Sequence, residues 1–240
     1  MWLMETYIVL DLETTGISPE FEVITEIGGA RISHGEVVET FSELVNPGKS
    51  IPANIVAITG ITDEMVAKAP SIEEVLPKFI DFCGDLPILG HNVAFDYSFL
   101  KTAAKKLGLS YEKYGLDTLV LSRALLERQK SYSLSNLISA LGIHRENAHR
   151  GLDDALATGE LYERLKEGYM SPDHSKYFEP KPITYRPKKQ SAVTAKQIKF
   201  LNGLIKQHKV EIDYVVETLT KSDASKKIDK ILHTYGRKVD

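Results

Sequence analysis

Three short stretches of this 240-residue chain carry side chains whose types and spacing suit metal-assisted chemistry. The first is Asp11-Leu12-Glu13-Thr14-Thr15-Gly16. In a strand, residues two apart face the same side, so Asp11 and Glu13 project together where the strand ends. Two carboxylates that close repel each other unless a cation or a proton comes between them. A lone D-x-E triplet is also what an ordinary polar strand end looks like. The second stretch is His91-Asn92-Val93-Ala94-Phe95-Asp96. Asp96 falls in the first turn of a helix, where a carboxylate can simply complement the helix dipole. The segment directly follows a short apolar run, however, and the end of an inner strand is where sites form in sheets of this kind. The third is His149-Arg150-Gly151-Leu152-Asp153-Asp154. On a helix, Asp153 shares its face with Glu160 and Arg164, a solvent face, whereas Asp154 shares its own with Leu161 and Leu165. A carboxylate on that core-facing edge needs a partner, because burying an isolated charge is prohibitively costly, and a divalent metal would supply one. His149, just ahead of the helix, is placed for acid–base work, although a single histidine there is more readily an ordinary surface residue.

The elements that must position these residues are legible from periodicity. Residues 7–12 form a buried apolar run, and 22–33 and 36–45 alternate as two further strands joined by the turn Ser33-His34-Gly35-Glu36. Apolar spacing then becomes helical after Pro70-Ser71, with Ile72, Val75, Leu76, Phe79 and Ile80 on one stripe. A short inner strand is expected at 87–90, and helices at 95–107, 118–126, 133–141 and 152–165. Strands in succession followed by helices with an interposed strand argue for a mixed sheet covered by helices. Residues 168–190 hold four of the ten prolines and are expected as a linker between a domain over 1–167 and a small one over 191–240. In the latter, Thr194-Ala195-Lys196-Gln197 has capping-box spacing ahead of Ile198, Leu201 and Ile205. A second helix is expected to carry Ile212, Val215, Val216 and Leu219, and a third to start at Thr220 or Ser222 and bury Ile228, Ile231 and Leu232.

Composition narrows the classes. Hydrophobic residues make up 42% and charged residues 26%, an ordinary globular mixture. No apolar run approaches the roughly 20 residues of a membrane span. The opening residues lack the pattern of a signal peptide. The single cysteine, Cys83, excludes an internal disulfide and zinc sites built from several thiolates, so a cytoplasmic setting is expected. The net charge of −3 hides an asymmetry: residues 171–240 hold 15 basic against 8 acidic side chains (+7), which leaves 15 against 25 (−10) for the rest. An acidic body with a basic tail suggests two modules with different electrostatic tasks. Lys188, Lys189, Lys196 and Lys199 suit attraction to a nucleic-acid backbone, with Tyr177, Phe178 and Tyr185 available for base stacking. The same lysines equally suit a merely solvated helical domain.

Taken jointly and in order, Asp11/Glu13, Asp96, and His149 five residues before Asp154 resemble the three motifs of the DEDDh 3′–5′ exonucleases. The resemblance is closest to the proofreading epsilon-like subunits of bacterial DNA polymerase III. It includes the D-x-E-T-T-G and H-N-x-x-F-D forms and runs from about Thr6 to Leu165. It implies an α/β, ribonuclease-H-like fold: a mixed five-stranded sheet flanked by helices, here with a small helical C-terminal domain. It implies that Asp11, Glu13, Asp96 and Asp154 hold two divalent ions, Mg²⁺ or Mn²⁺, with Asp11 bridging them. His149 would take a proton from the attacking water. Leu12, Thr14, Thr15, Gly16, His91, Asn92 and Phe95 are then expected around the terminal nucleotide. One departure concerns the V-H-G-I-T segment frequent in the family. Here Ile58-Thr59-Gly60-Ile61-Thr62 places Thr59 where a histidine would meet that nucleotide.

The implied partners are single-stranded or frayed DNA 3′ ends and a polymerase held in trans. Two rivals are an exoribonuclease of the same family and a binding module that kept the fold without turnover. Four convergent carboxylates argue against the binder. Gln197-Ile198-Lys199-Phe200-Leu201 is loosely similar to a sliding-clamp-binding peptide, but Ile198 and Leu201 belong to the expected core stripe.

Overall fold

Residues 7–12 are apolar at nearly every position because both faces of their strand are covered. The computed structural model describes residues 4–187 and 191–236. In it they form the middle of β1 (Thr6–Thr14), whose even residues Ile8, Leu10 and Leu12 lie in one core cluster and whose odd residues Tyr7 and Val9 lie in another. β2 (Ile24–Ser33) and β3 (Glu36–Leu44) pair antiparallel beside it, joined through His34 and Gly35 at φ of 51° and 82°. Both positive values belong to the tight turn whose twist matches a hairpin. On the other side β4 (Ile88–Gly90) and β5 (Tyr114–Asp117) run parallel to β1, and with β6 (Lys181–Pro182) at the edge the order is β3-β2-β1-β4-β5-β6.

Helices cover both faces of this sheet. α3 (Ile72–Cys83) and α4 (Val93–Lys106) bury Val75, Leu76, Phe79, Tyr97 and Leu100 against the even residues of β1. α5 (Thr118–Leu125), α6 (Leu134–Ala140) and α7 (Gly151–Tyr169) cover the odd face with Leu121, Leu137, Leu161, Tyr162 and Leu165. Each such fully buried side chain is worth about 1.5–3 kcal/mol. Asp11 and Glu13 continue the odd face of β1, so the parity that buries Tyr7 and Val9 also aims these carboxylates toward the start of α7. Two short helices, α1 (Ala53–Thr59) and α2 (Asp63–Val66), enclose a small cluster of Ile51, Ile61 and Val66. They have too few turns to show a helical period in the sequence.

The proline-rich stretch expected as a linker is built into the first compact unit, which runs to Pro187 rather than 167. Lys181–Pro182 forms β6, an antiparallel partner of β5, so the sheet has six strands rather than five. Phe178 is buried against Tyr162, and Ile183 and Tyr185 pack on the α3/α4 face. Proline forbids a central strand but not an edge one, and here β6 is the edge. Phe178 is therefore a core residue and not a stacking platform, while Tyr185 donates to Glu20.

The second unit, Lys188–Asp240, is built on α8 (Ala195–His208) and α9 (Lys221–Tyr235). Thr194 and Gln197 complete a capping box, and Leu201, Leu204, Val216, Ala224, Ile228 and Ile231 form the core. The expected middle helix is only a 3-10 turn at Val216–Thr218. Ile212 and Val215 stay 39% and 59% exposed, and the β-branched run has little helix propensity to hold it without burial. Ile198 and Leu201 lie in the core as the stripe requires, and a clamp peptide would have to withdraw them. Lys196 and Lys199 are exposed, whereas Lys188 and Lys189 lie outside the described residues.

Candidate active site

Asp11 and Glu13 leave β1 on the face covered by α7, opposite Gly28 and Glu26 of β2. β4 pairs with β1 only at Ile8 and Val9, so the amide of Leu12 lies beyond the end of that ladder. Asp96, in the first turn of α4 and 3% exposed, takes its place: Oδ1 accepts the Leu12 N–H at 3.1 Å. That bond satisfies a buried donor and ties the second acidic segment to the first. Asp154 comes from the first turn of α7 and is 6% exposed, with Asp153 directed outward to Asn147. Glu13, His149 and Asp154 each bring one donor atom within 4.8 Å of the others. His149 itself is exposed, stands in the left-handed region at φ 60°, and donates its backbone N–H to Asp154 Oδ2 at 3.2 Å. Asp11 is not in that trio but is half-buried among the same charges.

Glu13, Asp96 and Asp11 are held far from the ordinary acidity of a carboxyl group. Burial, followed by the charges of Asp154, Glu26 and Asp96, pushes Glu13 up to about 8. Asp96 is raised to about 8, again chiefly by burial, against the opposing hydrogen bond from Leu12. Asp11 is raised well above the carboxylate range by burial and by Asp96, Asp154, Glu13 and Glu26. Proteins bury like charges together where a cation is meant to join them. The donors are all oxygen apart from one imidazole, a set suited to a hard divalent ion such as Mg²⁺ or Mn²⁺. The acidic excess exceeds what the two nearby guanidinium groups neutralise, so the residues present fit such an ion.

Those two cations are residues that motif spacing did not single out. Arg145 pairs with Asp154 through Nη1 and Oδ1 at 2.7 Å and donates Nη2 to Ser135 at 3.1 Å. Arg150 pairs with Glu26 at 2.8 Å. Their partners are remote in sequence or irregularly spaced, so no periodicity marks them. Gly28 and Gly151 likewise had no local signal. A Cβ on Gly28 would lie 1.9 Å from the carbonyl carbon of Gly151, and one on Gly151 would lie 2.9 Å from the Gly28 nitrogen. Only two glycines let the end of α7 approach the sheet this closely.

Several residues expected to touch a nucleotide are occupied within the protein. His91 uses both ring nitrogens, at 2.9 Å from Thr118 Oγ1 and 2.9 Å from the carbonyl of Tyr132, and burial lowers its pKa. It is a brace between β4, α5 and the segment before α6. Thr59 ends α1 with its hydroxyl donating to the Ile55 carbonyl and accepting from Ile61 N–H, both at 3.1 Å. Thr14 donates to the Gly16 carbonyl and Thr15 to Glu22, so both hydroxyls shape the loop that follows β1. Asn92 is exposed at φ 70° with its N–H on Asp117, and Phe95 is half-buried against Phe99. Leu12 is a core residue whose contribution is its backbone amide. Ile17, just past Gly16, is 86% exposed.

This geometry agrees with what the chain resembles. The DNA polymerase III PolC-type protein of Thermotoga maritima is 43% identical over 163 residues, 68% of this chain but 12% of that protein. The chain thus matches only a small part of the PolC-type relatives. The DNA polymerase III subunit epsilon of Aquifex aeolicus is 37% identical over 163 residues, 68% of this chain and 81% of that one. Among solved structures, exonuclease X in complex with 5′-overhanging duplex DNA superposes with a TM-score of 0.58 at 25% identity, over 72% of this chain and 99% of that chain. The RNase_T exonuclease family matches residues 8–162, a span that takes in Asp11, Glu13, Asp96, His149 and Asp154, and the chain belongs to that family.

Proposed function

We propose that the chain is a metal-dependent 3′–5′ exonuclease that shortens DNA from its 3′ end and releases nucleoside 5′-monophosphates. The observation that carries this reading is the convergence of buried Asp96, Glu13 and Asp154, half-buried Asp11 and exposed His149 at the ends of β1 and α7. Asp11, Glu13, Asp96 and Asp154 would hold two divalent ions. When bound, such ions neutralise phosphate charge and make water a stronger acid.

The chain's own residues supply the rest. An imidazole nitrogen of His149 takes a proton from the attacking water. The hydroxyl becomes bonded to the phosphorus of the terminal nucleotide, and the 3′-oxygen of the next nucleotide leaves and takes up a proton. His149 is the exposed member of its trio, which suits a group that must exchange its proton with solvent after each turnover. Asp96 keeps the end of β1 in place through Leu12, so that Asp11 and Glu13 stay aligned. The names of the relatives point to a DNA polymerase as the partner class, and the exposed lysines of α8 suit a second contact to the nucleic-acid backbone.

The test is degradation of matched 5′-labelled single-stranded DNA and RNA with Mg²⁺ or Mn²⁺, beside Asp154→Ala. A ladder shortening from the 3′ end on DNA, absent from the variant, is the expected result. The same ladder mainly on RNA keeps the mechanism and changes the substrate. No shortening with either metal, or equal cutting by the variant, overturns the reading. For the described residues, no helix is long and apolar enough to cross a membrane.

A further inference from the structure

Glu26 is the most deeply buried acidic side chain of the chain's first sheet, 1% exposed, and the mechanism above gives it no task. It lies directly across from Glu13 in the β1–β2 register, a costly place for a second carboxylate. Its oxygens are fully engaged. Oε1 accepts from Arg150 Nη2 at 2.8 Å and Nε at 3.2 Å, and Oε2 accepts the backbone N–H of Gly151 at 3.0 Å. Gly151 is the first residue of α7 and Arg150 its N-cap, and neither receives a cap from the Arg150 side chain. One carboxylate therefore satisfies an orphan helix donor and fixes the residue before it.

The two residues so held are bracketed by the chemistry. His149 immediately precedes Arg150, in a left-handed conformation that a non-glycine residue keeps only when its surroundings impose it. Asp154 lies one turn beyond and accepts the His149 N–H. The Gly28–Gly151 contact brings α7 close to the sheet, but a contact between glycines has no directional bond to fix rotation about it. Glu26 supplies that bond.

We propose that Glu26 is a positioning residue for the reaction. Through Arg150 and Gly151 it sets the rotation of the α7 terminus, and so aligns His149 and Asp154 with Glu13. With both oxygens committed to Arg150 and Gly151, it is not a fifth metal ligand. The inference rests on the exonuclease reading, in which His149 moves the proton and Asp154 holds metal.

The experiment compares the full chain with Glu26→Gln, Glu26→Ala, Arg150→Gln and the Glu26→Gln/Arg150→Gln double variant, reading both turnover on a 5′-labelled DNA oligonucleotide and Mn²⁺ binding by calorimetry. A misplacement of about 1 Å costs on the order of 100-fold in rate. Glu26→Ala is therefore expected to lose roughly 100-fold in kcat at saturating Mn²⁺, and Glu26→Gln, which keeps an acceptor for Gly151, roughly 10-fold. KM for the oligonucleotide should stay within about threefold, and Mn²⁺ should bind about tenfold more weakly to Glu26→Ala. The double variant should be no slower than its slower parent, since both act through one clamp. If Glu26→Ala does not fold, Glu26→Gln and Arg150→Gln carry the comparison. Wild-type kcat and Mn²⁺ affinity in folded variants, or losses that simply multiply in the double variant, overturn the inference while leaving the exonuclease reading intact. An inert wild-type chain overturns both.

Discussion

Glu13→Gln separates the electrostatic cost of the acidic cluster from its use. Glu13 is 9% exposed, and its carboxyl is raised from 4.5 to about 8 by burial and by Asp154, Glu26 and Asp96. In the unfolded chain it would lose its proton near ~4.3. Between those values the native state binds more protons than the unfolded state, so stability falls as pH rises through this window and levels off above about 8. The full shift corresponds to roughly 5 kcal/mol at about 1.36 kcal/mol per unit, which is a ceiling. Relaxation and water penetration bring the expected cost to about 1–3 kcal/mol. Glutamine keeps the shape and never ionises. In EDTA at pH 9 the variant should therefore melt above wild type by roughly 2–12 °C, at about 2–4 °C per kcal/mol for a unit of this size. At pH 5, where native Glu13 is already protonated, the two should melt within a few degrees. Mn²⁺ at pH 9 should stabilise wild type strongly and the variant little, because the ion replaces the missing countercharge only where the charge exists. Calorimetric scans at the two pH values, with and without Mn²⁺, make the comparison. If Glu13→Gln melts at or below wild type at pH 9, or gains equally at pH 5, the claim that uncompensated charge strains this site is refuted.

Three further outcomes follow from the same geometry. Arg145→Gln removes the countercharge of Asp154, so in EDTA it should lose about 3 kcal/mol, as breaking a buried ion pair does, and saturating Mn²⁺ should recover most of the loss in a thermal scan. Gly28→Ala places a methyl group 1.9 Å from the Gly151 backbone, which cannot move without shifting α7. A loss of more than about 3 kcal/mol in urea unfolding is expected, and an unaffected midpoint would mean the contact is not required. His149→Gln leaves an exposed position and should keep wild-type stability and KM while kcat falls about 10²- to 10⁴-fold in single-turnover assays, the range for loss of a general base.

What was legible in the sequence was what local periodicity and spacing encode. The apolar run over residues 7–12 marked a buried strand, and the two-residue period of a strand placed Asp11 and Glu13 on one face. The helical stripe of Leu161 and Leu165 assigned Asp154 to the buried edge of α7, as observed, while Asp153, expected in solvent, is half-buried and accepts from Asn147. The turn at His34-Gly35 and the capping box at Thr194 were equally local. Composition was a poorer guide beyond Gly168. Proline says what a segment cannot form by itself, not whether it packs, and Phe178 and β6 joined the first unit. In the tail, the stripe from Ile212 to Leu219 gave no helix because the small core had room for Val216 and left Val215 exposed.

Only the tertiary structure decided which polar side chains are engaged within the protein. His91, Thr59, Thr14 and Thr15 have types that suit a nucleotide, yet their hydrogen bonds close on the protein's own backbone and side chains. Glu26, Arg145, Arg150 and the Gly28–Gly151 contact carry no motif at all. The roles of Glu26, Arg150 and the two glycines arise where β2 and the start of α7 meet across more than a hundred residues of chain, for example 125 between Glu26 and Gly151, whereas Arg145 reaches Asp154 across an irregular loop. Residue type and spacing determine which groups can share a face of one element. The charge balance, the satisfied donors and the permitted distance of approach belong to pairs of elements, and they exist only once the chain has folded.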